Sequence, residues 1–218
     1  MSGTSLKPFG DELQLLPNTN LKPIPMPNAI RIAALIHPGM EILDFAGPVE
    51  VFTNAGWEVF IVARDKSPVT SQGVVKILPQ YDITDCPPAD VLATFGGNSE
   101  EAVQQPEVIR WIQERAPACQ VLFSVCTGVF YFAAAGLLTG HRVTTFHGEI
   151  ERLRQEAPQS EVLTGVKYVD SGNIVTAAGV SSGIDGALYL VEKLKGRAAA
   201  EAIARYIEYN HWSPQSSE

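Results

Sequence analysis

Residues 121–140, which read VLFSVCTGVFYFAAAGLLTG, decide the fold of this chain. Their first five residues are apolar except for Ser124, as expected of a central strand that is covered on both faces. The run from Gly128 to Leu138 is almost entirely apolar, so the helix that it predicts must itself be buried. Cys126 lies between the two, at the end of the strand and the start of the helix. The stretch therefore predicts a strand, a sharp turn and a helix in the interior of a sheet protein.

Outward from this stretch, short β-rich runs alternate with longer helical patterns. IRIAALI (30–36), WEVFIVA (57–63) and VLATF (91–95) are typical of buried strands. Helical patterns follow at about 48–55, 102–112, 149–157, 183–194 and 198–209. Such alternation indicates parallel strands joined by crossover helices. We therefore predict an α/β fold: a three-layer, flavodoxin-like sandwich with a central, mostly parallel sheet and helices on both faces.

Two segments depart from this alternation. Residues 69–83 carry a Gly and a Pro between apolar pairs and predict a hairpin or a loosely paired edge. Residues 168–178 predict a second hairpin, with Ser-Gly-Asn as its turn. At the amino terminus, residues 1–28 contain five prolines and little apolar periodicity. We expect them to form an extended arm, and residues 29–218 to form a single domain.

Composition excludes several classes of protein. The 16 Lys and Arg are outnumbered by 24 Asp and Glu, and the net charge of −8 with no basic patch argues against nucleic-acid binding. The longest apolar stretch, Val121 to Leu138, is interrupted by polar residues and glycines, so no membrane span is expected. The three cysteines are an odd, sparse set, and the first residues do not resemble a secretory signal. We therefore expect free thiols and a cytoplasmic protein.

Cys126 is the strongest candidate for chemistry. Ligands of open parallel sheets bind at the carboxyl ends of strands, where Cys126 is predicted to lie. A helix amino terminus favours thiolate over thiol, so we expect the pKa of Cys126 to be lowered and the residue to be nucleophilic. Gly128 would permit the sharp turn of a nucleophile elbow. The alternative is a buried cysteine that only packs, which is the interpretation we give to Cys86 and Cys119.

Backbone donors are expected beside this thiol. Gly96 and Gly97 follow the predicted strand 91–95, at the same edge of the sheet as Cys126. The backbone N–H of Thr127, with one from Gly96 or Gly97, would then form an oxyanion hole. The side chain of Thr127 could either bond a substrate or cap the following helix, and the sequence does not separate these roles.

Three ordered motifs resemble a known family. SVCTGVFYFAAAGLLTGHRVTT (124–145) resembles the nucleophile region of the ThiJ/PfpI superfamily, which is related to class I glutamine amidotransferase domains. HPGMEILDFAGPVEVF (37–52) is similar to the first loop and helix of the branch that holds isocyanide hydratases and the amino-terminal domains of AraC-type regulators. TAAGVSSGIDGALYLVEKL (176–194) resembles a later loop and helix of that branch.

The resemblance implies that Cys126 is the reactive cysteine and Asp44 its acidic partner, where many relatives carry Glu. A thiolate close to Asp44 would raise the pKa of the carboxyl group, which could then act as general acid or base. The alternative for Asp44 is a helix cap. Many family members also carry His after Thr-Thr, whereas this chain has Phe146 there and His147 one position later. His147 is therefore only a possible site residue, and His37 a weaker one.

The sequence supports three functions in order. The first is an isocyanide hydratase-like hydrolase or hydro-lyase, in which the Cys126 thiolate and Asp44 convert a small electrophilic substrate, an isocyanide, to an N-formamide. The second is a non-catalytic ligand or redox sensor related to the AraC-type regulator domains, and the third a glyoxalase or deglycase. No cofactor is implied, and no ligand spacing suggests a metal. The resemblance also implies a homodimer.

Overall fold

The computed structural model describes residues 29–210 and Trp212, and a seven-stranded sheet lies at the centre of this part of the chain. In chain order the strands are β1 (Arg31–Leu35), β2 (Glu58–Ala63), β3 (Val69–Thr70), β4 (Lys76–Ile77), β5 (Tyr81–Asp82), β6 (Val91–Thr94), β7 (Val121–Val125), β8 (Arg142–Val143), β9 (Glu161–Val162), β10 (Tyr168–Asp170) and β11 (Ile174–Ala177). The central sheet has the order β10-β11-β7-β6-β1-β2-β5. Every pair in it is parallel except β10–β11. The prediction of a mostly parallel sheet is confirmed.

Helices cover both faces of the sheet. They are α1 (Ile42–Asn54), α2 (Pro106–Arg115), α3 (Val129–Ala134), α4 (Ile150–Glu156), α5 (Ser182–Lys195) and α6 (Arg197–Tyr206). One buried cluster joins the sheet to α1, α5 and α6, and a second joins it to α2, α3 and α4. Strand β1 supplies both, because Ile32 and Ala34 face the first cluster while Ala33 and Leu35 face the second. The predicted three-layer α/β sandwich is therefore confirmed.

The first irregular segment, predicted as a hairpin or a loosely paired edge, contains both, and the second is the predicted hairpin. Strands β3 and β4 pair antiparallel within residues 69–77, and β5 then joins the central sheet beside β2. Strands β10 and β11 form the second antiparallel pair, with residues 171–173 between them. The predicted arm, residues 1–28, lies outside the described residues.

Helix boundaries differ from the prediction in three places. Helix α1 begins at Ile42, six residues before the expected start at Pro48, which lies inside it. The Glu41 side chain accepts a bond from the Leu43 N–H at the helix start, and Pro48 only removes one donor further along. The pattern at 102–112 divides into a 3-10 turn and α2, because Pro106 begins a new helix. Helix α3 ends at Ala134, and Gly136, at φ 73°, lies in the turn that follows.

Candidate active site

The site lies at the switch point of the sheet, where the strands that follow β1 in the chain are added first on one side of it and then on the other. Strand β1 has β2 on one side and β6 on the other, so its carboxyl end forms the crevice in which ligands of open α/β sheets bind. Asp44 enters this crevice from the first turn of α1, Gly96 from the end of β6 and Cys126 from the end of β7. Residues that are far apart in the sequence are thus brought together at one edge of the sheet.

Cys126 occupies a strained elbow. Its φ of 59° is in the left-handed region, which costs a residue with a side chain about 1–2 kcal/mol. Two hydrogen bonds hold it there: its N–H donates to Ala178 O at 2.6 Å, and its carbonyl accepts from Thr145 Oγ1 at 2.8 Å. Only 6% of the residue is exposed. The surrounding strands therefore impose a conformation that the cysteine alone would avoid.

Two glycines make the close approach around this elbow possible. A Cβ at Gly96 would lie 2.6 Å from Thr127 N and 2.8 Å from the Cys126 Cβ. A Cβ at Gly128 would lie 2.6 Å from Thr94 O, so the turn predicted at Gly128 does require a residue without a side chain. The backbone after β6 consequently lies directly against the nucleophile.

Asp44 is fully buried and oriented by the backbone. The Gly96 N–H donates to its Oδ2 at 3.0 Å, whereas Oδ1 has no hydrogen-bond partner among the described residues. Burial raises the pKa of Asp44 to about 7, and the hydrogen bond from Gly96 opposes that shift. Glu41 caps the helix in its place, so the capping alternative for Asp44 does not apply. The carboxyl group is left with one oxygen available to a proton or a substrate.

The expected lowering of the thiol pKa is wrong. Burial, and then the charge of Asp44, raise the pKa of Cys126 to about 12, while backbone N–H groups of Thr127 and Val180 pull it down. The helix start is weak because the chain enters a 3-10 turn and then α3, which has only six residues. Between about pH 7 and pH 12, the thiol and carboxyl groups therefore hold a single proton between them, and below about pH 7 they hold two.

Val180 is a site residue that sequence reasoning missed. Its φ of 48° is exceptional for a β-branched residue, and its N–H lowers the pKa of both Cys126 and Asp44. It follows β11, the strand beside β7, so its place at the carboxyl edge of the sheet was the only available signal. Nothing in the residue type suggested it, because valine disfavours this backbone conformation.

The predicted oxyanion hole takes a different form. The Gly96 N–H is engaged by Asp44, and the Gly97 N–H donates to Thr127 Oγ1 at 3.2 Å. Neither glycine is therefore open to a substrate, and the donors that act on the sulfur belong to Thr127 and Val180. The Thr127 hydroxyl also lies 3.1 Å from Ser99 Oγ and does not cap the following helix. The Thr127 hydroxyl thus links the elbow to the loop after β6 by hydrogen bonds.

Neither His147 nor His37 completes a dyad with the cysteine. His147 is exposed in a 3-10 turn, and its ring lies on that of Phe146, with centroids 4.2 Å apart. Phe146 packs inward instead, so closely that a Cβ at Gly179 would lie 2.6 Å from its ring. His37 is buried, and its two ring nitrogens lie 2.9 and 3.1 Å from the carbonyls of Pro38 and Phe95.

Two features are absent from residues 29–210: a cluster of metal-ligand side chains and a helix that could span a bilayer. No group of three or more His, Cys, Asp or Glu side chains there could hold a metal ion. None of the helices in this part of the chain has the length and apolar character needed to cross a bilayer.

The fold and the site define a class: α/β proteins that carry a cysteine on a nucleophile elbow with an acid facing it. Within that class, residues 30–193 match the DJ-1/PfpI family model, and the chain belongs to this family. It is 32% identical to the isonitrile hydratase of Pseudomonas putida over 186 residues, which cover 83% of this chain and 79% of that protein. Isonitrile is another word for isocyanide.

Two further comparisons agree with this family assignment. The crystal structure of a ThiJ/PfpI family protein from Pseudomonas syringae superposes with a TM-score of 0.80 and 30% identity, covering 97% of this chain and 87% of that one. The HTH-type transcriptional regulator CdhR of Pseudomonas aeruginosa is 23% identical over 78% of this chain. The match covers 52% of the regulator, so the chain spans about half the length of that relative.

Proposed function

We propose that this protein hydrates isocyanides to N-formamides, with Cys126 as nucleophile and Asp44 as proton carrier. The observation that carries the proposal is the buried pair of Asp44 and Cys126, in which one carboxylate oxygen has no other partner. A thiol with so high a pKa becomes nucleophilic only when a neighbouring base removes its proton, and Asp44 is placed to do so. The 32% identity to an isonitrile hydratase directs the choice of substrate.

The reaction begins when the thiol proton passes to Asp44 and the sulfur attacks the terminal carbon of R–N≡C. Asp44 then returns the proton to that carbon, which yields a thioimidate, R–N=CH–S, on Cys126. A water molecule adds to the same carbon as Asp44 accepts a proton from it. Asp44 passes that proton to the nitrogen, which gives R–NH–CH(OH)–S–Cys126. The C–S bond then breaks, the hydroxyl proton passes through Asp44 to the departing sulfur, and R–NH–CHO is released as the thiol is restored. The N–H groups of Thr127 and Val180 stabilise the negative charge on sulfur at both ends of this sequence.

The test is direct. Purified protein is mixed with cyclohexyl isocyanide, and formation of N-cyclohexylformamide is followed by absorbance and confirmed by mass spectrometry. We expect turnover that is abolished in Cys126→Ala and retained in Cys119→Ser, a matched change at another free cysteine. Absence of turnover with alkyl and aryl isocyanides would reject the substrate class. Full activity in Cys126→Ala would reject the nucleophile.

A second candidate is ligand sensing without turnover, which the match to a transcriptional regulator favours. Oxidation sensing is less well supported, because a raised thiol pKa disfavours the reactive thiolate. The same assay separates the candidates. A sensor would bind an isocyanide or a related electrophile stoichiometrically and release no formamide.

A further inference from the structure

A second cavity lies at the edge of the sheet opposite Cys126. Its volume is about 200 Å³, and its walls come from the amino ends of strands: Arg31 begins β1, Asp90 precedes β6 and Cys119 precedes β7. Strand β1 has five residues, so roughly 15 Å of sheet separates this cavity from the elbow. The mechanism proposed above uses none of its residues.

Most of the cavity wall is apolar and rigid. Leu92 and Ala33 form its floor on the sheet, Trp111 lies on the side of α2, and Pro87 and Pro88 form part of the rim. Prolines restrict the backbone, so this rim does not have to be ordered when a ligand binds. A cavity of about 150 Å³ is large enough for benzene, so this one suits a ligand with about six carbons.

Arg115 adds a charge that the protein leaves unpaired. It ends α2 and donates from Nη2 to Cys86 O at 2.6 Å, but it forms no ion pair with a carboxylate among the described residues. Arg31, on the opposite wall, is by contrast paired with Glu58 at 3.2 Å. A guanidinium has five donors in a planar fork that matches a carboxylate, so most of the capacity of Arg115 is unused.

One carboxylate of the protein lies in the same cavity wall. It belongs to Asp90, whose oxygens accept from Arg31 N at 2.8 Å and from Gln120 Nε2 at 3.3 Å. The negative charge of Asp90 is thus turned to neighbouring groups, and Arg115 remains the unpaired charge.

We propose that this cavity binds a small monocarboxylate with an apolar tail of about six carbons, the carboxylate on Arg115 and the tail against Leu92 and Trp111. Cations are disfavoured because they would meet the guanidinium. Neutral molecules of the same shape would gain the apolar contacts but leave the Arg115 guanidinium without an anionic partner. The site is separate from the isocyanide chemistry and does not depend on it.

Cys119 provides the readout, because it lines the cavity and is partly exposed, whereas Cys126 lies at the far edge of the sheet. The full-length protein is alkylated with iodoacetamide at pH 9 in the presence of hexanoate, hexanol or hexylamine, and each cysteine is quantified by mass spectrometry. Hexanoate should slow modification of Cys119 at least threefold at saturation and leave the rate at Cys126 unchanged. Hexylamine should give no protection.

The role of Arg115 is tested with variants. Loss of a charge-assisted hydrogen bond should weaken hexanoate binding to Arg115→Gln about tenfold or more in calorimetric titrations, and Arg115→Lys should fall between that variant and the original protein. Arg110→Gln is the control, an exposed arginine on the same helix that does not line the cavity. The proposal is overturned if hexanoate fails to protect Cys119, if hexanol protects equally well, or if a folded Arg115→Gln variant binds hexanoate unchanged.

Discussion

Asp44 and Cys126 form a buried pair that holds a single proton between about pH 7 and pH 12. The motifs predicted which residues would meet, but not the protonation state of the pair. A lowered thiol pKa was expected from the helix start alone, whereas burial and the charge of Asp44 outweigh it. Such a balance depends on how deeply a site is buried, which no local motif contains.

Asp44→Asn separates the two effects of the carboxyl group. The amide keeps an oxygen for the Gly96 N–H but cannot carry a proton, so kcat for isocyanide hydration should fall about 10²- to 10⁴-fold. The thiol pKa should fall at the same time, because the negative charge that raises it is gone. Thiolate absorbance at 240 nm, measured in a Cys86→Ser, Cys119→Ser background, reports this. An unchanged thiol titration would show that Asp44 does not act on the sulfur.

The rate should also depend on pH through the same pair. Asp44 has a pKa of about 7, and below that pH the pair holds two protons, so the carboxyl group can no longer accept one from the thiol. We expect kcat/KM to fall about tenfold per pH unit below about 7, after subtraction of the rate without protein. A rate that stays level down to pH 5 would contradict this assignment.

The site depends on three elements of the fold whose backbones lie in close contact. The loop after β6 touches the elbow after β7 at Gly96, and α1 reaches the same point through Asp44. Gly96→Ala would place a methyl group against backbone atoms that cannot move aside. It should cost roughly 1–3 kcal/mol of unfolding free energy and abolish activity.

Gly56→Ala is the matched control for that substitution. Gly56 has a φ of 72°, but a Cβ there would meet nothing within 4 Å. Its cost is therefore backbone strain alone, about 1 kcal/mol, with unchanged activity per folded molecule. Denaturant unfolding and the formamide assay measure both variants. Equal losses of activity in the two would show that the close approach at Gly96 is not needed.

Prediction from sequence succeeded for elements whose pattern is local and failed where tertiary contacts decide. The alternating strands, both hairpins and the elbow followed from apolar runs and turn residues. The start of α1 was placed too late because Pro48 looked like a first helical residue. Val180 was missed because its left-handed backbone opposes the preference of a β-branched side chain, and only the tertiary structure brings its N–H to the elbow.

For the whole molecule, burial of Asp44 makes stability depend on pH. Its folded pKa is raised from 3.8 to about 7, so the folded state holds the proton more tightly than the unfolded chain. This contribution is complete below pH 4 and is lost as pH rises through 7. Between pH 5 and 8 the protein should lose roughly 2–3 kcal/mol relative to Asp44→Asn. Parallel Tm curves for the two proteins over this range would refute the shift.

The left-handed backbone at Cys126 lowers the stability of the folded protein at the one position where its chemistry requires a cysteine. Glycine adopts that conformation without strain, so Cys126→Gly should fold correctly and gain up to about 1 kcal/mol, measured by denaturant unfolding, while losing all chemistry. A library selected only for survival at high temperature would therefore drift towards glycine at 126. Persistence of cysteine in lineages screened by that criterion would mean that the elbow carries no strain.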